Sequence, residues 1–228
     1  MMLQKINAVI FDMDGLIANT EPLWRRAMVE GFTECGINFT EEDCRITTGM
    51  RFLEVVEFWS QARPFNIYSV KEAHDMIINK LCVLIEKNDV ELPGVAATIE
   101  ACKANDLKIG LATSSGKKII DTVLKKLDLF NKFDSIVSAE NLPYGKPNPQ
   151  VFLDCAYSLK VFPNNCLVLE DSVNGVIAAK AAFMKVVAVP DKHSFEDLRF
   201  SIADYKLSDL TLFQELLEKI KIEVSATA

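Results

Sequence analysis

The sequence has 228 residues, and its 25 basic and 32 acidic side chains give a net charge of −7 at pH 7. Half of the residues are apolar and a quarter are charged, a composition typical of globular proteins that bury a sizeable core. No apolar run approaches the roughly 18 residues of a membrane helix, and an acidic chain is poorly suited to nucleic-acid phosphates. We therefore expect a cytoplasmic monomer with no nucleic-acid or membrane partner.

Short apolar runs alternate with amphipathic stretches along much of the chain. The apolar runs predict strands at 8–11, 108–112, 135–138, 166–169 and 186–189. The amphipathic stretches predict helices at 94–104, 116–127, 149–159, 173–182 and 210–220. This alternation is typical of a parallel sheet covered by crossover helices. The sequence therefore predicts an α/β fold with a Rossmann-like parallel sheet as its core.

The interval between the first two predicted strands is too long for a single crossover. It contains amphipathic helical stretches at 21–35, 52–60 and 69–87. We interpret residues 17–91 as an inserted, all-helical cap domain. The α/β core domain then comprises residues 1–16 and 92–228, and two connections join it to the cap.

Polar side chains follow the predicted strands at their carboxyl ends, the edge of a parallel sheet where ligands bind. In chain order they are Asp12, Asp14, Thr113, Ser114, Lys146, Glu170 and Asp171. Each group alone has an ordinary explanation, because Asp-x-Asp-Gly turns and exposed charges are common. Four carboxylates at one edge, however, repel one another unless a cation lies among them.

The types of residue at this edge indicate the chemistry. Carboxylate oxygens without soft ligands favour Mg²⁺. The hydroxyl of Thr113, the amides at a helix N-terminus and the ammonium of Lys146 are suited to phosphate oxygens. The sequence therefore predicts a phosphoryl-transfer site.

These polar groups, in this order, resemble the four motifs of the haloacid dehalogenase superfamily, and the similarity extends over nearly the whole chain. The helical insertion directly after the first motif is similar to the branch with a small helical cap, which includes β-phosphoglucomutase and many sugar phosphatases. Residues 14–24 and 138–147 are most similar to bacterial 2-deoxyglucose-6-phosphate and hexitol-phosphate phosphatases. The resemblance implies an α/β core with an inserted cap, and a phosphatase.

The resemblance implies a role for each motif residue in hydrolysis through an aspartyl-phosphate intermediate. Asp12 is the implied nucleophile, and Asp14 is the implied general acid and base. Thr113, Ser114 and Lys146 are implied to bind the phosphate of the substrate.

The resemblance also implies the ligands of a bound Mg²⁺ ion. Asp12, the backbone carbonyl of Asp14 and Asp171 would bind the metal directly. Glu170 would act on it through a water molecule. Magnesium is thus the expected cofactor.

The implied substrate is a small phosphomonoester, namely a sugar or sugar-alcohol phosphate such as 2-deoxyglucose 6-phosphate or a hexitol phosphate. A sugar phosphomutase of the β-phosphoglucomutase type is one alternative, and a non-catalytic ligand-binding or regulatory module on the same fold is another.

Two cap residues differ from the pattern of the mutase. Trp24 stands where the mutase has a hinge histidine. Arg51 stands one position earlier than the arginine with which the mutase cap would bind a second phosphate. Both differences favour hydrolysis. Trp24 and Arg51 are also the candidates for substrate selection in the cap.

Overall fold

The computed structural model describes residues 5–47 and 50–225, with side chains described up to residue 221. The strands are β1 (Ala8–Phe11), β2 (Lys108–Thr113), β3 (Ser135–Ser138), β4 (Cys166–Glu170), β5 (Lys185–Ala188) and β6 (Tyr205–Lys206). The α-helices are α1 (Glu21–Glu34), α2 (Glu41–Ile46), α3 (Phe52–Ala62), α4 (Val70–Lys87), α5 (Val95–Ala104), α6 (Lys117–Lys126), α7 (Gln150–Leu159), α8 (Val173–Ala181) and α9 (Phe213–Ser225). Among these helices, none combines the length and the apolar character needed to cross a bilayer.

The described strands form one parallel sheet in the order β3-β2-β1-β4-β5-β6. The first residue of β1, Ala8, pairs with Lys108 of β2 on one side and with Cys166 of β4 on the other. All of β1 is buried, as expected for a central strand with both faces covered by helices. The predicted α/β fold is confirmed. Because the strand order reverses at β1, the ends of β1, β2 and β4 border one crevice.

The chain between β1 and α5 folds into the helices α1 to α4. The sequence predicts α1, α3 and α4 but misses α2, whose N-terminus is fixed by a capping box between Thr40 and Asp43. Phe32 of α1, Trp59 of α3 and Ile77 of α4 are buried in one apolar cluster. The helical nature of the insertion is therefore as expected, and the division into two domains at residues 16–17 and 91–92 stays a prediction.

The two connections between these helices and the sheet lie side by side. Ala18 on the first connection forms an antiparallel β-bridge with Glu91 on the second. The backbone N–H of Asn19 donates to the carbonyl of Val90 at 2.8 Å. The two connections are thus hydrogen-bonded to each other directly after the first polar motif.

Phe183, in the turn between α8 and β5, has a left-handed backbone with φ of 60° and is 84% exposed. This conformation costs a residue with a Cβ about 1–2 kcal/mol, and an exposed ring gains little from burial. We expect Phe183→Gly to raise the free energy of unfolding by about 0.5–1 kcal/mol, after deducting the greater freedom of glycine in the unfolded chain. Chemical denaturation measures the change. Phe183→Ala, which keeps the Cβ, is the matched control. An equal increase in the free energy of unfolding for both variants would contradict the cost assigned to the left-handed backbone.

Candidate active site

A buried lysine lies between two buried acids at the carboxyl ends of β1 and β4. Lys146 Nζ donates to Asp12 Oδ1 and to Glu170 Oε1, each at 2.5 Å, and to the carbonyl of Ala112 at 3.2 Å. The side chains of Asp12, Lys146 and Glu170 are 8%, 6% and 1% exposed. Burial opposes the charge on Lys146, but the two carboxylates outweigh it and raise the pKa of the ammonium above its usual value. The lysine is therefore charged and links the ends of the two strands.

Both carboxylate oxygens of Glu170 have partners within the protein. Besides the bond from Lys146 to Oε1, Oε2 accepts from the backbone N–H and the hydroxyl of Ser172 at 2.8 and 2.9 Å. Ser172 also caps α8 by accepting from the N–H of Gly175, and a Cβ on Gly175 would overlap the Glu170 carboxylate. The first turn of α8 thus holds Glu170 in place, and Glu170 in turn accepts from Lys146. Because both of its oxygens have protein partners, Glu170 is suited to contact a metal through water.

The carboxylates of Asp12, Glu170 and Asp171 form an acidic cluster, in which one oxygen of each lies within 4.8 Å of the others. The pKa of Asp12 is raised to about 7, mainly because the carboxyl is buried. The charge of Lys146 lowers this pKa, and the charges of Glu170 and Asp14 raise it. Burial, followed by the charges of Glu170 and Asp12, raises the pKa of Asp171 well above its usual value. One ammonium cannot balance these carboxylates, so an additional cation would stabilise their ionised forms. Oxygen-only donors fit a hard divalent ion.

Gly15 lets Asp171 approach the first motif. Its backbone is left-handed, with φ of 79°, a conformation that glycine adopts without steric cost. A Cβ at this position would also overlap the Asp171 carboxylate. The turn after β1 therefore requires glycine both for its backbone and for the acidic cluster.

Four described side chains donate to the carboxylate of Asp14. The hydroxyl of Thr20 lies 2.5 Å and the indole N–H of Trp24 lies 3.4 Å from Oδ1. The hydroxyls of Ser115 and Thr113 lie 2.6 and 3.5 Å from Oδ2. Thr20 and Trp24 belong to the start of α1, whereas Thr113 is the last residue of β2 and Ser115 lies in the turn after it. Asp14 therefore connects the helical insertion to the sheet.

Thr20 and the hydroxyl of Ser115 are the parts of this site that sequence analysis misses. Thr20 is fully buried and Ser115 is 8% exposed. A threonine directly before a helix is an ordinary N-cap signal, yet the Thr20 hydroxyl donates to Asp14 instead of capping α1. Ser114, the predicted phosphate ligand, is partly buried in the same turn as Ser115. Side-chain direction within that turn has no signature in the sequence.

The two cap candidates have different surroundings. The Trp24 ring packs on Phe52, with ring centroids 4.9 Å apart, and its N–H reaches Asp14. Arg51 is bonded to Glu54 and to backbone carbonyls of the loop between β3 and α7. Of these two residues, Trp24 thus contacts a predicted catalytic group, and Arg51 contacts the backbone of the loop after β3.

Residues 9–189 match the haloacid dehalogenase-like hydrolase family, so the chain belongs to this family. Hexitol phosphatase B of Escherichia coli K12 is 43% identical over 209 residues, which cover 91% of this chain and 94% of the relative. The phosphorylated carbohydrates phosphatase of Thermotoga maritima is 33% identical over 184 residues, covering 78% and 82% of the two chains.

A solved structure with the same fold is β-phosphoglucomutase from Clostridium difficile. The two structures agree with a TM-score of 0.81 at 27% identity, covering 96% of this chain and 99% of that one. The predicted family and its β-phosphoglucomutase-like branch are confirmed. Together with the relatives named as phosphatases, these findings identify the chain as an enzyme, a hydrolase of the phosphatase type.

Proposed function

We propose that the protein is a magnesium-dependent phosphatase that hydrolyses small sugar or sugar-alcohol phosphates through an aspartyl-phosphate intermediate. The observation that carries the proposal is the buried group of Asp12, Lys146 and Glu170, with a second aspartate, Asp14, held beside it by side-chain donors. The 43% identity to hexitol phosphatase B supports the substrate class.

Asp12 is the proposed nucleophile. Lys146 fixes its Oδ1 at 2.5 Å, which restricts rotation of the carboxylate and favours attack by the other oxygen. The new bond joins that oxygen to phosphorus as the ester P–O bond breaks. A Mg²⁺ ion held by Asp12, Asp171, the backbone carbonyl of Asp14 and, through water, Glu170 would neutralise charge on the phosphoryl oxygens.

Thr113, Ser114 and Lys146 are the proposed phosphate ligands. Thr113 is the last residue of β2 and is 1% exposed, and Ser114 begins the turn that leads into α6. The N–H groups at the start of a helix favour anions. These groups together with the ammonium of Lys146 would hold the phosphoryl group in line with Asp12.

Asp14 is the proposed general acid and base. It would give a proton to the sugar oxygen as the ester bond breaks, and would then take a proton from the water that attacks the aspartyl phosphate. The donors on both of its oxygens orient it for these transfers. Hydrolysis returns Asp12 to its starting state and releases inorganic phosphate.

The alternative is a sugar phosphomutase, which must exclude water and rebind a bisphosphate. The contacts of Arg51 favour hydrolysis, because Glu54 accepts from its Nε at 2.9 Å and from its Nη2 at 2.5 Å. A guanidinium engaged in this way is not offered to a second phosphate of the substrate.

Phosphate release from a panel of sugar, polyol and nucleotide monophosphates tests the proposal. We expect release with Mg²⁺ to be fastest for hexitol and 2-deoxyhexose phosphates and to fall by about 100-fold or more after chelation of divalent ions. Arg45→Gln, which removes an exposed ion pair with Glu42, is a control that should retain wild-type rates. Undiminished release in chelator would contradict the metal requirement, and isomerisation of a sugar phosphate without release would indicate the mutase.

A further inference from the structure

Arg51 connects the helical insertion to the core loop that presents Lys146. Its Nη1 donates to the carbonyl of Leu142, and its Nη2 donates to the carbonyl of Pro143 at 3.3 Å. These carbonyls lie 91 and 92 residues further along the chain, in the loop between β3 and α7. The contact is therefore tertiary and lies within a few residues of a proposed phosphate ligand.

Glu54 holds the guanidinium of Arg51 in this orientation. In addition to the two side-chain bonds to Oε1, the backbone N–H of Arg51 donates to Glu54 Oε2 at 3.0 Å. The hydrogen bonds from Arg51 lower the pKa of the Glu54 carboxyl, and the Arg51 side chain is 20% exposed. The pair is thus a partly buried, charge-neutral unit at the start of α3.

The aliphatic part of Arg51 packs on Gly145, the residue before Lys146. A Cβ on Gly145 would lie 3.0 Å from Cγ and 3.2 Å from Cδ of Arg51. The φ of Gly145 lies outside the left-handed region, so the neighbouring arginine, and not the backbone, makes this position tight: the arginine stem would have to shift by a few tenths of an ångström to admit a Cβ. Arg51 therefore contacts the loop through its stem as well as through its guanidinium.

The position of this contact gives it a mechanical role. The covalent connections of the helical insertion follow β1 and precede α5, whereas Arg51 reaches the loop after β3, two strands away along the same sheet edge. Elsewhere the insertion is attached to the core by hydrogen bonds from α6 to α4. The Arg51 contact adds an attachment at a different strand end and further restricts rotation of the helices about the connections.

We propose that Arg51 is a latch: a positioning residue that closes the helical insertion onto residues 142–145 and thereby keeps Lys146 in place for the substrate phosphate. This inference rests on the proposed phosphatase function and deepens it. Because Glu54 neutralises Arg51, the organic part of the substrate meets no free charge from this residue. The latch therefore leaves Arg51 no contact with a second anionic group on the ester.

Steady-state kinetics of Arg51→Gln, Glu54→Gln and the double variant test the latch. With 2-deoxyglucose 6-phosphate and p-nitrophenyl phosphate, we expect Arg51→Gln to lower kcat/KM by about 10- to 100-fold on both esters, because a displaced phosphate ligand affects every substrate. Glu54→Gln should also lower kcat/KM on both esters. The kcat/KM of the double variant should be no lower than that of Arg51→Gln alone, because the pair acts as a unit.

A substrate-binding arginine predicts a different pattern. Arg51→Gln would then raise KM mainly for the sugar phosphate, and Glu54→Gln would preserve or improve activity by releasing the cation. Either result overturns the latch. Arg51→Lys should recover little of the kcat/KM lost in Arg51→Gln, because the lysine ammonium lacks the planar guanidinium that contacts Glu54 and the carbonyls together. Arg45→Gln, with the same loss of charge on the surface of the helical insertion, is the matched control and should be neutral.

Hydrogen exchange of the ligand-free protein tests the latch independently of activity. We expect Arg51→Gln to accelerate exchange in residues 142–148, which include the amide of Asn148, bonded to the carbonyl of Gly145 at 3.0 Å. Gly145→Ala, which presses a Cβ on the arginine stem, should act in the same direction. Unchanged exchange in both variants would refute the latch. A wild-type protein that hydrolyses no ester would refute the proposed function, and the exchange result would still decide the latch.

Discussion

Asp12→Asn is expected to abolish turnover, with kcat reduced by about 10⁴-fold or more. Asparagine has nearly the size of aspartate, but its amide is a far weaker nucleophile and cannot form the acyl phosphate. Phosphate release from 2-deoxyglucose 6-phosphate under saturating Mg²⁺ measures the loss. A variant that retains more than a few percent of the wild-type rate would contradict Asp12 as the nucleophile.

The same variant should remain folded, which separates loss of chemistry from loss of structure. Lys146 also donates to Glu170 at 2.5 Å, a hydrogen bond that does not involve Asp12. Removing one carboxylate also relieves the repulsion that contributes to the raised pKa values of Asp12 and Asp171. We therefore expect a melting temperature equal to or above that of the wild type in metal-free buffer. A large decrease in melting temperature would show that the carboxylate is mainly structural.

The sheet could be predicted from the sequence wherever its strands are continuous apolar runs. The observed bounds of β1 and β3 are those predicted, and β4 is one residue longer. Two elements lack such a pattern. β6 comprises Tyr205 and Lys206 alone and is defined by its pairing with β5. The six-residue α2 is shorter than two turns, too short for helical periodicity to be visible.

The convergence of the acidic residues could also be predicted, because the carboxyl ends of neighbouring parallel strands share one edge. The contacts that orient the acidic residues could not be predicted. Asp14 accepts from Ser115 and Thr20, and these two hydrogen bonds depend on side-chain directions in two separate turns. The backbone carbonyls that accept from Arg51 lie more than 90 residues away, beyond the reach of any local pattern. Motif order thus locates the chemistry, and tertiary packing decides how each group is held.

Asp14→Asn is expected to separate the two halves of the reaction. The alkoxide of a sugar is a poor leaving group, so breaking its ester bond requires a proton from Asp14. Without that proton, kcat for 2-deoxyglucose 6-phosphate should fall by about 10²- to 10⁴-fold. The p-nitrophenolate ion leaves readily without protonation, so transfer of its phosphoryl group to Asp12 should proceed in the variant.

The second step then limits the variant with p-nitrophenyl phosphate, because no base remains to deprotonate the attacking water. Stopped-flow absorbance should show a stoichiometric burst of p-nitrophenol followed by slow turnover. Thr20→Val and Ser115→Ala, which each remove one donor to Asp14 but keep its carboxylate, should cost about 10-fold on the sugar ester through misorientation. Equal losses on both esters in Asp14→Asn, without a burst, would refute the dual proton-transfer role, because a group needed only for folding or binding does not distinguish leaving groups.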